Sequence, residues 1–304
     1  MQEPPWLRPR PRKFPGVPAW GAPTSSMALE EFRVSEFPEI TPEWAWGGAD
    51  GSGVRVCVVD TGVDAAHPAV GGLERAASVV IGDDGTARVE EGDGEDLAGH
   101  GTACAGIIRS LAPAVSLSSV RVLTKGKYGS GGALLAGLTW AVEQRFDVVN
   151  LSLSTTLPAL EPALRELADL AYFRRCALVV SAHNMPVQSY PWNFSSVISV
   201  ASHNEPDPLL HYYNAAPPVD FFARGVKVTV PWTGGREKVG TGNSFAAPHV
   251  AGLCALVLGK HRWLTPFQLK TVLFHTARNV TGNLGGSHGR EREGVDAGVV
   301  DVGV

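Results

Sequence analysis

Apolar and polar positions follow two rhythms along this chain. Short unbroken apolar runs, bounded by glycine or polar residues, alternate with longer stretches whose apolar positions recur every three to four residues. Val54-Arg-Val-Cys-Val-Val59 is the first short run, and it predicts a buried strand ending in Asp60-Thr-Gly62. Val115 to Leu123, Val148 to Leu153, Ala177 to Val180, Val197 to Val200 and Val226 to Val230 read as further strands. Between them, helices are predicted from His100 through Ile108, from Leu134 to Val142 and from Leu160 to Phe173. Two more follow: one from Ser244 through Leu258, and one opened by Thr265-Pro266 and running through Leu269, Val272, Leu273 and Ala277. Pro248 is expected early in the Ser244 helix, where a missing N–H costs least. Strands alternating with helices predict an α/β fold of three layers, with a mostly parallel sheet flanked by helices.

Other stretches lack either rhythm. Residues 1–35 are rich in Pro and Arg and are expected to form an arm, with one folded domain over 36–304. Two readings of the arm stand: a solvated tail, or a segment lying over a groove. Trp44 and Trp46 are expected as core anchors. Residues 82–96 are acidic and Gly-rich; without the ligand alternation of a calcium loop, they are expected to be a solvated loop.

Composition narrows the class. With 304 residues and 44 % hydrophobic content, a sizeable core is within reach. A net charge of −4 gives no nucleic-acid footprint. No apolar run reaches transmembrane length, and the N-terminus lacks the apolar core of a signal peptide, so neither a membrane nor a secretory route is expected. Cys57, Cys104, Cys176 and Cys254 each lie in an apolar stretch and include no close-spaced metal pair. Buried free thiols are the first expectation, although two disulfides are compatible with the sequence. A cytoplasmic location is the simplest expectation, with a secretion route that reads some other signal left open.

The chemistry gathers where predicted strands end and helices begin. Asp60 closes a strand, His100 opens a helix, Asn184 follows a strand and Ser244 opens another helix. In open α/β sheets these positions face one rim. A serine hydroxyl needs a base near neutral pKa, the base needs an acid to orient it, and a side-chain amide can donate to an oxyanion. Taken alone, Ser244 reads equally as a helix cap.

Together, Asp60-Thr-Gly62, His100-Gly-Thr102 and Gly242-Asn-Ser-Phe-Ala-Ala-Pro-His-Val-Ala-Gly252 resemble the three signatures of subtilisin-like serine proteases, in that family's order. The resemblance runs from about Ile40 to the C-terminus. It implies a serine endopeptidase acting on proteins or peptides, with Ser244 as nucleophile, His100 as base, Asp60 orienting it and Asn184 in the oxyanion hole. It also implies substrate contacts from Gly129, Ser130 and Gly131 within Tyr128-Gly-Ser-Gly-Gly132, and from Ser152, Leu153, Ser154 and His183. Rival readings are a catalytically weak peptide binder and an esterase or ligase using the same acyl-enzyme.

Four departures from the family bear on function. Asn243 stands where threonine is usual. His183 stands where glycine precedes the oxyanion asparagine, and Ser154 and Thr155 stand where glycines are common; restricted specificity is expected, unless the His183 ring swings outward. Ala69 follows His67-Pro68 where a calcium-ligating aspartate would stand, and the ligand-bearing loop is cut to Ser110-Leu-Ala-Pro113. Neither a metal nor a cofactor is therefore expected. A folding prodomain of the usual size is not expected ahead of the domain, as in an intracellular relative.

Overall fold

A computed structural model describes residues 39–92, 95–124 and 129–280. The elements begin with α1 (Pro42–Trp46), β1 (Arg55–Asp60), β2 (Arg75–Ile81), β3 (Ala87–Glu91), α2 (His100–Leu111), β4 (Ser116–Arg121) and α3 (Gly131–Glu143). They continue with β5 (Val148–Leu151), α4 (Glu161–Phe173), β6 (Ala177–Ser181), β7 (Ile198–His203), β8 (His211–Tyr213) and β9 (Phe221–Arg224). Last come β10 (Val228–Trp232), β11 (Arg236–Gly240), α5 (Asn243–Lys260) and α6 (Pro266–Thr276).

Nine strands of the described residues form one sheet in the order β3-β2-β4-β1-β5-β6-β7-β9-β8. Its inner pairings are parallel, and only the edge strands β3 and β8 run antiparallel to their neighbours. Strand geometry sends alternate side chains to opposite faces. Val56 and Val58 of β1 therefore join a core with α2, α5 and α6, while Cys57 and Val59 join a second core with α3 and α4. The three-layer α/β fold expected from the sequence is the one observed.

α5 is the buried axis of the first core. Every residue from Phe245 to Leu258 is buried, so this helix is apolar all round rather than amphipathic. Pro248 lies inside it, not at its first turn. The expectation of a harmless early proline is corrected: Pro248 removes the N–H that would bond the Ser244 carbonyl. The Cys104 thiol lies 3.6 Å from that oxygen and donates to it.

The acidic stretch also departs from expectation. It holds β3, which pairs antiparallel with β2 from Ala77–Glu91 to Ile81–Ala87. Asp96, expected in solvent, is buried. Residues 228–230 form a strand, but outside the main sheet: β10 pairs with β11 as a hairpin over Ala103, Ile107 and Phe245. Trp44 and Trp46 pack half-buried against the first core, with Trp44 stacked on His261 at 4.0 Å. The four cysteines are all free and buried. The N-terminal arm and Tyr128 lie outside the described residues.

Beyond α2 the shortened loop is held by one side chain. Arg109 donates to the carbonyls of Val70 at 2.8 Å, Pro113 at 2.8 Å and Val115 at 2.7 Å. Val70 follows Ala69 and Pro113 closes the shortened loop, the two segments where the family resemblance implies calcium ligands. With Ala69 offering no carboxylate and the carbonyls already engaged by a guanidinium, the residues present do not fit a cation there.

Candidate active site

β1 delivers Asp60 at its C-terminal end, and α2 begins with His100 directly beside it. His100 Nδ1 lies 2.8 and 2.9 Å from the two Asp60 carboxylate oxygens, and both residues are buried. Such closeness needs glycines. A β-carbon on Gly101 would overlap the carbonyl oxygen of Gly62, so only glycine lets α2 approach the turn after Asp60. Gly99, the residue before His100, has φ +83° and lies against the Trp232 ring of the hairpin.

A carboxylate on an ionised aspartate only accepts, so Nδ1 carries a proton, and in the neutral ring Nε2 is the nitrogen with the lone pair. Burial alone would push the imidazole down. Against that, the Asp60 charge and its hydrogen bond hold the imidazolium, and His100 sits well above the ordinary histidine value of 6.5. Burial pushes the Cys104 thiol up, so it is neutral. Asp60, His100 and Cys104 bring ligand-type atoms within 4.8 Å of one another. Nδ1 is already bonded to Asp60, which makes this a hydrogen-bonded pair rather than an open metal site.

Asp96 ties the two motifs together. Its Oδ1 accepts from the Thr61 hydroxyl at 2.7 Å and from the N–H groups of Ala98 and Gly99 at 3.0 and 2.8 Å. Its Oδ2 accepts from the Thr102 N–H at 2.8 Å and hydroxyl at 2.6 Å. Thr61 in turn accepts from the Gly101 N–H at 3.0 Å. Sequence reasoning missed this residue. Its one local signal was an aspartate four positions ahead of His100, which suits the start of a helix.

Ser244 is the second residue of α5, half-buried, with a backbone N–H that no helical carbonyl reaches. Asn184 is exposed, on the loop after β6. A β-carbon built on Gly242 would lie 3.4 Å from both Ser244 Oγ and Asn184 Nδ2, so the hydroxyl and the amide both lie close to that glycine. Asn184 Oδ1 accepts from the Asn243 N–H at 2.9 Å, so Nδ2 is the end left to donate.

One cavity of about 270 Å³ brings these residues together. It is lined by His100, Leu123, Ser244, the segment Ser152-Leu153-Ser154 and the segment Ser181-Ala-His-Asn184. Ser152 is buried and accepts from Asn150 Nδ2 at 3.0 Å. Beyond Ser154, Thr155 and Tyr190 exchange two backbone hydrogen bonds of 2.9 Å, tying that segment to the loop opposite. His183 is half-buried, and its Nδ1 accepts from the Met185 N–H at 3.0 Å, which turns the ring toward its own loop. Gly129, Ser130 and Gly131 are not among the residues lining this cavity. Ser130 caps α3 by accepting from the Ala133 N–H at 3.0 Å, and Gly129 packs close to the Val122 carbonyl.

Comparison with known proteins agrees with this architecture. Residues 51–295 match the family model described as the Subtilase family. Subtilisin E of Bacillus subtilis (strain 168) is 31 % identical over 245 residues, covering 76 % of this chain and 62 % of that protein. Thermitase of Thermoactinomyces vulgaris is 30 % identical over 256 residues, covering 80 % and 88 %. An intracellular serine protease of Paenibacillus polymyxa is 31 % identical over 251 residues, covering 75 % and 74 %. The crystal structure of a cold adapted subtilisin-like serine proteinase superposes with a TM-score of 0.60 at 30 % identity, over 74 % of this chain and 82 % of that one. The chain therefore spans less than two thirds of subtilisin E but most of thermitase. The match takes in Asp60, His100 and Ser244 alike, and the chain belongs to the subtilase family of subtilisin-like serine proteases.

Proposed function

We propose that this protein is a serine endopeptidase that cleaves peptide bonds through an acyl-enzyme on Ser244. The observation that carries this reading is one cavity lined by His100, Ser244 and Asn184, with the buried Asp60 bonded to the far side of the imidazole. His100 Nε2 takes the Ser244 proton as Oγ attacks the substrate carbonyl. Asp60 holds the ring and stabilises the imidazolium that forms. The Asn184 amide and the Ser244 N–H donate to the tetrahedral oxyanion. His100 then protonates the leaving amine, and water releases the acid.

Restricted specificity belongs to the same proposal. Ser152, Ser154 and Ser181 supply hydroxyl-bearing residues to the cavity lining, and His183, from the Asn184 loop, is part of that lining too. The substrate is a particular protein or precursor peptide rather than bulk protein. Exposed Gly129 and Ser130, beyond Leu123, are candidates for contacts further along the peptide. One catalytic domain over 36–304, with residues 1–35 as an arm beside it, is part of this reading. The four buried thiols and the intracellular relative support a cytoplasmic site of action. Among the described residues, no helix is long and apolar enough to cross a membrane.

A fluorophosphonate probe and a peptide library test the proposal together. Wild-type protein is expected to be labelled on Ser244 and to cleave few library members, and Ser244→Ala to lose both activities. Labelling of the wild type without turnover of any peptide would favour the peptide-binding alternative. Labelling that survives Ser244→Ala would place the nucleophile elsewhere.

A further inference from the structure

Asn243, the residue before Ser244, uses its whole side chain to join three segments. Its Oδ1 accepts from the Ser202 N–H at 2.9 Å and from the Ser202 hydroxyl at 2.7 Å, on β7. Its Nδ2 donates to the His183 carbonyl at 3.2 Å, on the loop after β6. Its own N–H donates to Asn184 Oδ1 at 2.9 Å. We propose that Asn243 is a positioning residue, which sets the Asn184 amide and the Ser244 N–H at a fixed separation as a pair of oxyanion donors. This rests on the roles given above to Asn184 and Ser244.

The need for such a device is physical. Asn184 is exposed on an irregular loop, where a side chain otherwise spreads over several rotamers. A donor that wanders stabilises an oxyanion poorly, because preorganisation is what gives the bond its value. Asn243 counters this from two directions. Its backbone N–H takes one end of the Asn184 amide and leaves the other free. Its Nδ2 holds the His183 carbonyl, part of the peptide unit that carries Asn184. The bonds to Ser202 then fix Asn243 itself to β7 within the rigid sheet. A plain helix cap would bond only its own helix. Asn243 instead reaches two elements far away in sequence, and its two side-chain functions match their partners: an oxygen meets two donors and an amide meets a carbonyl.

The test is a double-mutant cycle of Asn243→Ala and Asn184→Ala, read as kcat, KM and melting temperature. The substrate is a quenched-fluorescent peptide selected from a library by wild-type cleavage. Asn184→Ala is expected to lower kcat by about 10²- to 10³-fold. Asn243→Ala is expected to lower kcat by about tenfold in the wild type and by less than about twofold on the Asn184→Ala background, with KM little changed in both. A purely structural role would instead give the same factor in both backgrounds, and that result overturns the proposal. If Asn184→Ala leaves kcat unchanged, the oxyanion assignment fails first and the positioning role falls with it. Should Asn243→Ala melt below the assay temperature, Ser202→Ala replaces it in the cycle, since it removes one of the two donors holding Oδ1; the same loss of effect on the Asn184→Ala background is expected, and equal factors again overturn the proposal.

Discussion

The Thr61 hydroxyl donates to the buried Asp96 carboxylate at 2.7 Å, which locks the turn after Asp60 to the start of the helix that carries His100. Asp96 accepts four further bonds from Ala98, Gly99 and Thr102. A neutral amide offers one acceptor oxygen and sets an N–H₂ against groups that are themselves donors. Asp96→Asn is therefore expected to cost roughly 1–3 kcal/mol in stability, the price of buried donors left unmet. It should also lower kcat, because the Asp60–His100 geometry rests on this node. Chemical denaturation together with steady-state kinetics checks it, and unchanged values in both would remove Asp96 from its positioning role.

The pH profile follows from the charge pair. Only neutral His100 can accept a proton, and the pair holds its pKa above 6.5, so kcat/KM is expected to rise with pH through a midpoint above that value. Stability moves the opposite way. A histidine raised in the folded state binds its proton more tightly there than in the unfolded chain. Its stabilisation is complete below the unfolded value and fades as pH climbs through the folded one. Activity should thus increase while this contribution to the melting temperature declines across the same window. Rate profiles and thermal melts of wild type and His100→Gln check this: the variant should lose that part of the pH-dependent decline.

Arg109 takes the part a cation would play in holding Val70, Pro113 and Val115. A chelator is accordingly expected to leave the melting temperature unchanged. Arg109→Ala should cost roughly 2–4 kcal/mol, since charge-assisted bonds to three carbonyls disappear at once. Calorimetry with and without chelator tests both halves, and a large fall on chelation would restore a metal to this protein.

Much of the fold was legible because β1, β5 and β6 are apolar on both faces and end abruptly in polar residues, a pattern that needs no knowledge of partners. The candidate residues stood out for a related reason: Asp60 sits at the abrupt end of β1, while His100 and Ser244 lie at the starts of α2 and α5, each with a glycine within two positions. β3 was not legible, because an exposed edge strand written Ala-Arg-Val-Glu-Glu looks like solvated loop until β2 lies beside it. Asp96 was hidden too, since its burial depends on Thr61, distant in sequence. Asn243 was noticed only as an unusual residue; its three-way grip depends on Ser202 arriving from β7 and His183 from the loop after β6. The place of Pro248 was misjudged because the helix begins at Asn243, and the thiol that answers the lost bond comes from α2.

α5 both fills the first core and carries Ser244, and it follows every strand of the sheet in the chain. A nascent polypeptide halted before it would lack the main support of its own interior as well as its hydroxyl. Under the proposed function, then, a polypeptide truncated ahead of α5 has neither its interior nor its nucleophile.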